Sequence, residues 1–161
     1  LDRSSAASDV YKRQEQAIVD AGGIDIQILG IGADGHIAFN EPGTSLKSLT
    51  HPAVLTAQTR RDNARFFDGD IDKVPRHALT QGVGTILRAR KILLIATGSN
   101  KADAVRDMVE GPVSISCTGS ALQLHNNVKV LLDEAAAAKL ERLDFYREIY
   151  ANRPQGAWLG L

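Results

Sequence analysis

The stretch IDIQILGIGADGHIAFNEPG, residues 24–43, decides the fold of this chain. Its first part is a run rich in isoleucine, which is typical of a strand buried on both faces of a parallel sheet. Gly30 and Gly32 then allow the backbone to turn sharply and to approach a ligand closely. We therefore expect a buried strand followed by a tight turn at the carboxyl end of a sheet.

Three ionisable residues, Asp34, His36 and Glu41, follow that turn directly. Open α/β sheets bind their ligands beyond the carboxyl ends of the strands. The apolar residues between His36 and Glu41 predict burial, and a buried ionisable cluster is costly unless its members are paired or used. The pattern predicts an acid/base centre. Taken singly, each residue has an ordinary alternative: Asp34 and Glu41 as loop residues, and His36 as a hydrogen-bonded structural group.

A second strand, ILLIAT at residues 92–97, runs into the turn Gly98–Lys101 and a helix over about Ala102–Val109. A strand, a glycine turn and a helix start form a natural nest for phosphate. A lysine in the first turn of a helix is repelled by the positive end of the helix dipole. A bound phosphate would offset this repulsion and explain the position of Lys101. The alternative is an ordinary solvated lysine.

The remaining pattern predicts an α/β fold with a doubly wound, mostly parallel sheet of the Rossmann-like type. A third buried strand is expected over residues 128–132, short strands near 53–57 and 78–81, and a closing helix over 135–150. A helix ending near residue 21 leads straight into the first strand. We therefore expect the alternation to begin before residue 1, so that the domain is truncated at its N-terminal side.

Residues 1–13 differ from the rest, because they are polar, rich in serine and without clear periodicity. We interpret them as a non-native or disordered tail and exclude them from the fold. Residues 14–161 are then expected to form one partial domain.

Composition limits the possible partners. Nineteen basic and nineteen acidic residues give a formal net charge of zero, which argues against binding to nucleic acid or to an acidic membrane. The single cysteine excludes an intrachain disulfide framework and fits a reducing cytoplasm. The longest apolar run, residues 92–96, is far shorter than the roughly 20 residues that span a bilayer.

Four segments in the same order carry a resemblance to a known family. They are residues 32–42, 63–68, 78–85 and 98–101. Together they resemble the glucosamine-6-phosphate deaminases, which convert glucosamine 6-phosphate and water into fructose 6-phosphate and ammonia. The resemblance implies a cytoplasmic enzyme of amino-sugar catabolism that needs no metal and no organic cofactor. Because water is a reactant, such an enzyme is a hydrolase.

The chemistry and the resemblance together assign roles to the acid/base residues. Opening the sugar ring needs a group that exchanges protons near neutral pH, which suits His36. Asp34 and Glu41 would orient its ring and select its tautomer.

The resemblance also implies residues that bind the substrate. Arg65 falls on an arginine that holds the substrate phosphate, and a guanidinium can meet two phosphate oxygens at once. Lys101, in the predicted phosphate nest, would hold the phosphate together with it. The expected walls of the sugar pocket are Gly32, Thr80 and Gly82, the last two in a glycine-rich turn whose N–H groups could face the ligand.

Two departures from the family pattern have consequences. In the family, the aspartate that moves a proton between C2 and C1 lies earlier along the chain than any segment that this sequence matches. We therefore predict that this chain alone is inactive or nearly so. His51 and Ala53 stand where some relatives place cations for an allosteric effector, which argues against that regulation. The oligomeric state stays open, a homo-oligomer of the complete enzyme included.

Three alternatives remain. A 6-phosphogluconolactonase shares the fold and a similar turn, although Phe39-Asn40-Glu41-Pro42 here supplies a carboxylate that the lactonase pattern does not. A sugar-phosphate sensor domain would bind without catalysis and need not retain the acid/base cluster. The third alternative is a degenerate α/β fragment with no ligand.

Overall fold

The computed structural model describes residues 3–154, which form six α-helices and five strands. The helices are α1 (Arg3–Asp20), α2 (Ala57–Asn63), α3 (Val83–Ile86), α4 (Ala102–Val109), α5 (Glu134–Ala137) and α6 (Leu143–Ala151). The strands are β1 (Ile26–Leu29), β2 (His51–Val54), β3 (His77–Thr80), β4 (Lys91–Ala96) and β5 (Val128–Leu132). Short 3₁₀ turns lie at Ala64–Phe66, Ile71–Lys73, Ser99–Lys101 and Thr118–Leu124.

The main sheet is parallel, with β4 between β1 and β5. Leu94 is opposite Leu29 on one side and Val130 on the other. This confirms the predicted mixed α/β fold with a parallel sheet. Because the three strands run in the same direction, the segments that follow them leave the sheet at one edge. That edge therefore brings together residues that are far apart in the sequence.

One face of this sheet forms the core. Leu29, Ile92 and Leu94 are buried there against Val105 and Met108 of α4. The same cluster also contains buried residues of α3 and α5. The described helices that contact the sheet thus pack on the Leu94 face.

The opposite face is open, and here the expectation that β1 is buried on both faces is wrong. Ile26 is 59% exposed and Ile28 is 65% exposed, and Ile95 and Leu131 on the neighbouring strands are 44% and 42% exposed. Parallel sheets normally have both faces covered. Among residues 3–154, the core cluster that covers the sheet lies on the Leu94 side alone.

A second, two-stranded sheet is antiparallel and pairs β2 with β3, with Pro52 opposite Leu79. The strand predicted over 53–57 is shorter than expected at its C-terminal end. Thr56 is the N-cap of α2, since its hydroxyl accepts the N–H of Thr59 at 3.1 Å. A threonine that caps a helix in this way ends the strand before Ala57.

The predicted closing helix over 135–150 is also corrected, because it is divided into α5 and α6. The carboxylate of Glu110 accepts the N–H groups of Glu141 and Arg142 at 2.8 and 2.9 Å. These N–H groups stand just before α6 and gain a partner from outside the helix, which favours a helix start at that point. Sequence periodicity gives no sign of this long-range cap.

At the N-terminal side, the helix expected to end near residue 21 is α1, which spans Arg3–Asp20. The backbone of Arg3–Arg13, within the segment interpreted as a non-native or disordered tail, is helical, and the origin of that segment stays a prediction. Residues 1–2 and 155–161 lie outside the described part, and with them most of the segment 151–161, in which Pro154 and Gly156 predict irregular structure. Within the described part, every helix is too short or too polar to cross a membrane.

Candidate active site

The turn after β1 is shaped by two glycines that contact other side chains. A Cβ on Gly32 would lie 2.3 Å from Nδ1 and Cε1 of His36, so the imidazole ring packs against the bare backbone. Gly35 has φ +85, and a Cβ there would lie 2.5 Å from Sγ of the buried Cys117. The turn closes through the N–H of Gly32, which donates to the carbonyl of His36 at 2.8 Å. Gly32, predicted as a pocket wall, is therefore also the residue that makes room for the His36 ring.

The structure brings Asp34, His36 and Glu41 together. Nδ1 of His36 lies 2.7 Å from Oδ1 of Asp34 and 3.5 Å from Oε2 of Glu41. The side chains of His36 and Glu41 are each 13% exposed, and that of Asp34 is 42% exposed. Each of the three residues offers one possible metal-ligand atom, and these atoms lie within 4.8 Å of one another, close enough for a single cation to contact all three.

The tautomer of His36 follows from its partners. Ionised carboxylates only accept hydrogen bonds, and both face the same ring nitrogen. We therefore assign the proton to Nδ1, which donates to Asp34. In the neutral ring this leaves the lone pair on Nε2, the nitrogen that can exchange a proton with a ligand.

The carboxyl of Asp34 is electrostatically tuned by this contact. Partial burial acts to raise its pKa, while the charge of the His36 imidazolium and the hydrogen bonds from the His36 N–H and ring act to lower it. The net result is that the pKa of Asp34 lies below its ordinary value. An ionised Asp34 is thus the state that holds His36 in place.

The segment between His36 and Glu41 is fixed from behind by buried polar groups. Asn40 is fully buried, and its Nδ2 donates to the carbonyls of Ile37 and Gln81, each at 2.9 Å. The hydroxyl of Thr80, also buried, accepts the N–H of Phe39 at 3.1 Å. Thr80, predicted as a pocket wall, therefore supports the acid/base segment.

The glycine-rich turn at 82–84 differs from the expectation that its N–H groups face a ligand. The N–H of Val83 donates to Oγ of Ser48 at 3.0 Å, and the N–H of Gly84 donates to the Ser48 carbonyl at 2.8 Å. A Cβ on Gly82 would lie 2.2 Å from the same carbonyl oxygen. These glycines allow the turn to pack closely against the Ser48 backbone. The role of Gly82 in the sugar pocket stays a prediction.

Lys101 lies at the same edge of the sheet as the acid/base cluster. The cluster follows β1, and the turn Gly98–Lys101 follows β4, its parallel neighbour. Gly98 has φ +88, and its N–H donates to both carboxylate oxygens of Asp133 at 3.1 and 3.0 Å. Asp133 directly follows β5, so all three parallel strands contribute to this edge. Sequence analysis missed Asp133, although its position after a buried strand was a usable signal.

Arg65 lies on a different segment, the 3₁₀ turn that follows α2. Its guanidinium is exposed and stands over the ring of Phe66, 4.8 Å from the centroid. Among the described residues, no hydrogen bond or ion pair joins Arg65 or Lys101 to the acid/base cluster. The structure thus assembles the three predicted acid/base residues directly and leaves the phosphate role of Arg65 and Lys101 as a prediction.

Comparison with known proteins identifies the class and then the family. Solved 6-phosphogluconolactonases share the fold: the enzyme from Trypanosoma cruzi matches with a TM-score of 0.63 at 21% identity, over 88% of this chain and 54% of that one. A monomeric glucosamine-6-phosphate deaminase matches with a TM-score of 0.77 at 52% identity, over 80% of this chain and 53% of that chain. Fold and site therefore define a Rossmann-like α/β protein in which Asp34, His36 and Glu41 lie together at the carboxyl edge of the sheet.

The family profile of glucosamine-6-phosphate isomerases and 6-phosphogluconolactonases matches residues 2–130. The chain belongs to this family.

Curated relatives within the family are similar over most of this chain. The glucosamine-6-phosphate deaminase of Mycolicibacterium smegmatis is 60% identical over 147 residues, which are 91% of this chain and 56% of the relative. The deaminase of Arthrobacter sp. is 60% identical over 156 residues, 97% of this chain and 58% of the relative. The chain thus spans somewhat over half the length of the curated relatives that it matches.

Proposed function

We propose that this chain carries the ring-opening and phosphate-binding part of a glucosamine-6-phosphate deaminase. The observation that carries the proposal is the contact of His36 with Asp34 and Glu41 at the carboxyl edge of the parallel sheet. Relatives that are 52–60% identical are named as deaminases, whereas the T. cruzi lactonase, at 21% identity, supports the fold alone.

The proposed first step is opening of the sugar ring. His36 accepts the proton of the anomeric hydroxyl through Nε2 and delivers a proton to the ring oxygen as the bond between C1 and that oxygen breaks, so that the imidazole ends the step neutral. Asp34 holds the Nδ1 proton throughout, so that the ring keeps its orientation and tautomer. The product of this step is the open-chain amino aldehyde.

The phosphate of the substrate provides the positioning. In the proposal Arg65 and Lys101 bind it, and this fixes the distance between the phosphate and the reacting carbons. A cationic pair suits a phosphate because charge-assisted hydrogen bonds are stronger than neutral ones.

The later proton transfer from C2 to C1 needs a further base. We place that base outside the residues of this chain, so the chain alone is expected to bind glucosamine 6-phosphate without releasing ammonia. In the complete reaction one water is consumed and ammonia leaves, which is the sense in which the enzyme is a hydrolase. A cytoplasmic location belongs to the same proposal, because the sequence has a single cysteine.

The test is a calorimetric titration of the chain with glucosamine 6-phosphate, with glucosamine and with inorganic phosphate. Arg65→Ala and Lys101→Ala are each expected to weaken binding of the two phosphate-containing ligands about tenfold or more. Arg61→Ala is the matched control, since Arg61 is an exposed arginine of α2 that bonds to Gln58. If neither Arg65→Ala nor Lys101→Ala weakens binding, the proposal is overturned. Ammonia release by the chain alone would show that it does contain the second base.

A further inference from the structure

The two carboxylate oxygens of Glu41 have different surroundings. Oε1 accepts the hydroxyl of Thr59 at 2.6 Å and the N–H of Thr56 at 3.4 Å. Oε2 is buried, has no hydrogen-bond partner among the described residues, and lies 3.5 Å from Nδ1 of His36. Thr59 therefore determines which oxygen of Glu41 faces the imidazole.

The direction of the Thr59 hydroxyl is itself fixed. Thr59 is 3% exposed, and its Oγ1 accepts a hydrogen bond from the hydroxyl of Thr56 at 2.9 Å. A hydroxyl has a single proton to donate. Because Thr56 occupies an acceptor site of Oγ1, the proton of Thr59 is directed to Glu41.

Thr59 also belongs to the element that leads to Arg65. It lies in α2, which continues without a break into the 3₁₀ turn Ala64–Phe66. The side chain of Asn63 donates to the carbonyl of Thr59 at 2.8 Å and ties the end of the helix to its beginning. Thr59 and Arg65 are therefore parts of one short helical unit, hereafter the α2 unit (residues 57–66).

We propose that Thr59 is a positioning residue that couples phosphate binding at Arg65 to the placement of Glu41 against His36. The inference rests on the proposed function, which makes Arg65 a phosphate ligand. A phosphate held by Arg65 moves the α2 unit, and the hydroxyl of Thr59 transmits this movement to Oε1 of Glu41. The 3.5 Å separation of Oε2 and Nδ1 then shortens into hydrogen-bond range, and the imidazole gains a second acceptor.

The consequence is a preference for phosphorylated substrates, because His36 is fully oriented only when phosphate is bound. A sugar without phosphate leaves the α2 unit in its present position, and His36 is oriented by Asp34 alone. Occupancy of the phosphate site completes the second contact of the ring. The α2 unit thereby links recognition at one end to proton exchange at the other.

The test is NMR spectroscopy of the isotope-labelled chain with inorganic phosphate and, separately, with glucosamine 6-phosphate. The Nε–H signal of Arg65 reports binding, and the ring signals of His36 report the coupling. Thr59→Val removes the hydroxyl at nearly constant shape, Thr59→Ser retains it, and Thr59→Ala is a second variant without the hydroxyl. Thr85→Val is the matched control, since it removes a threonine hydroxyl that donates to another carboxylate, that of Glu15, at 2.7 Å.

In the unchanged chain, in Thr59→Ser and in Thr85→Val, both signals are expected to shift on binding. In Thr59→Val and Thr59→Ala the Arg65 signal still shifts, while the His36 shift falls to the residual effect of the phosphate charge. An equal His36 shift in all variants would overturn the coupling and leave the proposed function intact. If neither ligand shifts the Arg65 signal, the proposed function fails and the coupling fails with it.

Discussion

Oδ1 of Asp34 accepts two hydrogen bonds from His36, one from the ring Nδ1 at 2.7 Å and one from the backbone N–H at 3.3 Å. Both bonds favour the ionised carboxylate, and the pKa of Asp34 is lowered despite its partial burial. By linkage, the pair stabilises the fold at pH values above the ordinary pKa of an aspartate. That contribution is lost as the pH falls through the lowered pKa of the folded state.

Replacing His36 by glutamine is therefore expected to raise the pKa of Asp34. The substitution removes the imidazolium charge and the ring hydrogen bond, which oppose the effect of burial. The measurement is a ¹³C NMR titration of the Asp34 carboxyl. His77→Gln, at an exposed position of β3, serves as the control and should leave the titration unchanged. An unchanged pKa in His36→Gln would contradict the assigned pairing.

Glu15 of α1 is expected to stabilise the packing of α1 against the loop before β2 and against α3. Its Oε1 accepts the N–H of Thr50 at 2.8 Å and the hydroxyls of Thr50 and Thr85 at 2.5 and 2.7 Å. Burial acts to raise the pKa of Glu15, but these hydrogen bonds and Arg88 lower it overall. The stabilisation is therefore present above the ordinary pKa and is lost as the pH falls through the lowered one.

Glu15→Gln should lower the free energy of unfolding by roughly 1–3 kcal/mol at neutral pH, because it weakens hydrogen bonds to a charged group. It should also reduce the decrease in the free energy of unfolding that occurs as the pH is lowered, here called the acid limb. Urea unfolding at several pH values provides the measurement, with the exposed Glu148→Gln as control. Equal acid limbs in the unchanged chain and Glu15→Gln would show that the carboxylate does not have this role.

Gly32 and Gly30 offer a matched pair for testing the packing of the His36 ring. A Cβ on Gly32 would lie 2.3 Å from the ring, whereas a Cβ on Gly30 meets its nearest atom at 3.9 Å. Gly32→Ala is expected to displace the ring and to cost about 1–3 kcal/mol, as overpacking does. Gly30→Ala should cost less than about 1 kcal/mol. Urea unfolding and the His36 ring signals measure both effects, and equal losses would contradict the packing of the ring on Gly32.

The open face of the parallel sheet predicts binding of hydrophobic dyes. Ile28, which is 65% exposed, can be replaced by threonine with a change in stability of at most about 0.5 kcal/mol. Leu94 is fully buried, and Leu94→Ala should cost about 2–5 kcal/mol. Dye fluorescence is expected to fall in Ile28→Thr. A large loss of stability in Ile28→Thr would mean that this face is covered.

The parallel sheet could be predicted from sequence because its strands are short apolar runs followed by turn residues. The helix over Ala102–Val109 has the predicted bounds, and Asp34, His36 and Glu41 meet as expected. The open face of β1 could not be foreseen. An isoleucine-rich run indicates a buried strand, but it does not show which elements cover each face. The sequence pattern also could not show that the predicted closing helix is divided.

The supporting hydroxyls of the site were also beyond sequence analysis. Thr59 reaches Glu41 across 18 positions, and Thr118 donates to the carbonyl of Asn40 across 78 positions. Such contacts depend on tertiary packing, and a threonine in a polar segment gives no local signal of them. The carboxylates next to His36 were accessible to prediction because they lie in the same turn.

The most direct test of the account is a crystal structure of the chain with glucosamine 6-phosphate. We expect the phosphate within hydrogen-bond distance of both Arg65 and Lys101, and Nε2 of His36 facing the ring oxygen and the anomeric hydroxyl of the sugar. A sugar phosphate bound away from His36, or a phosphate that contacts neither Arg65 nor Lys101, would contradict the account.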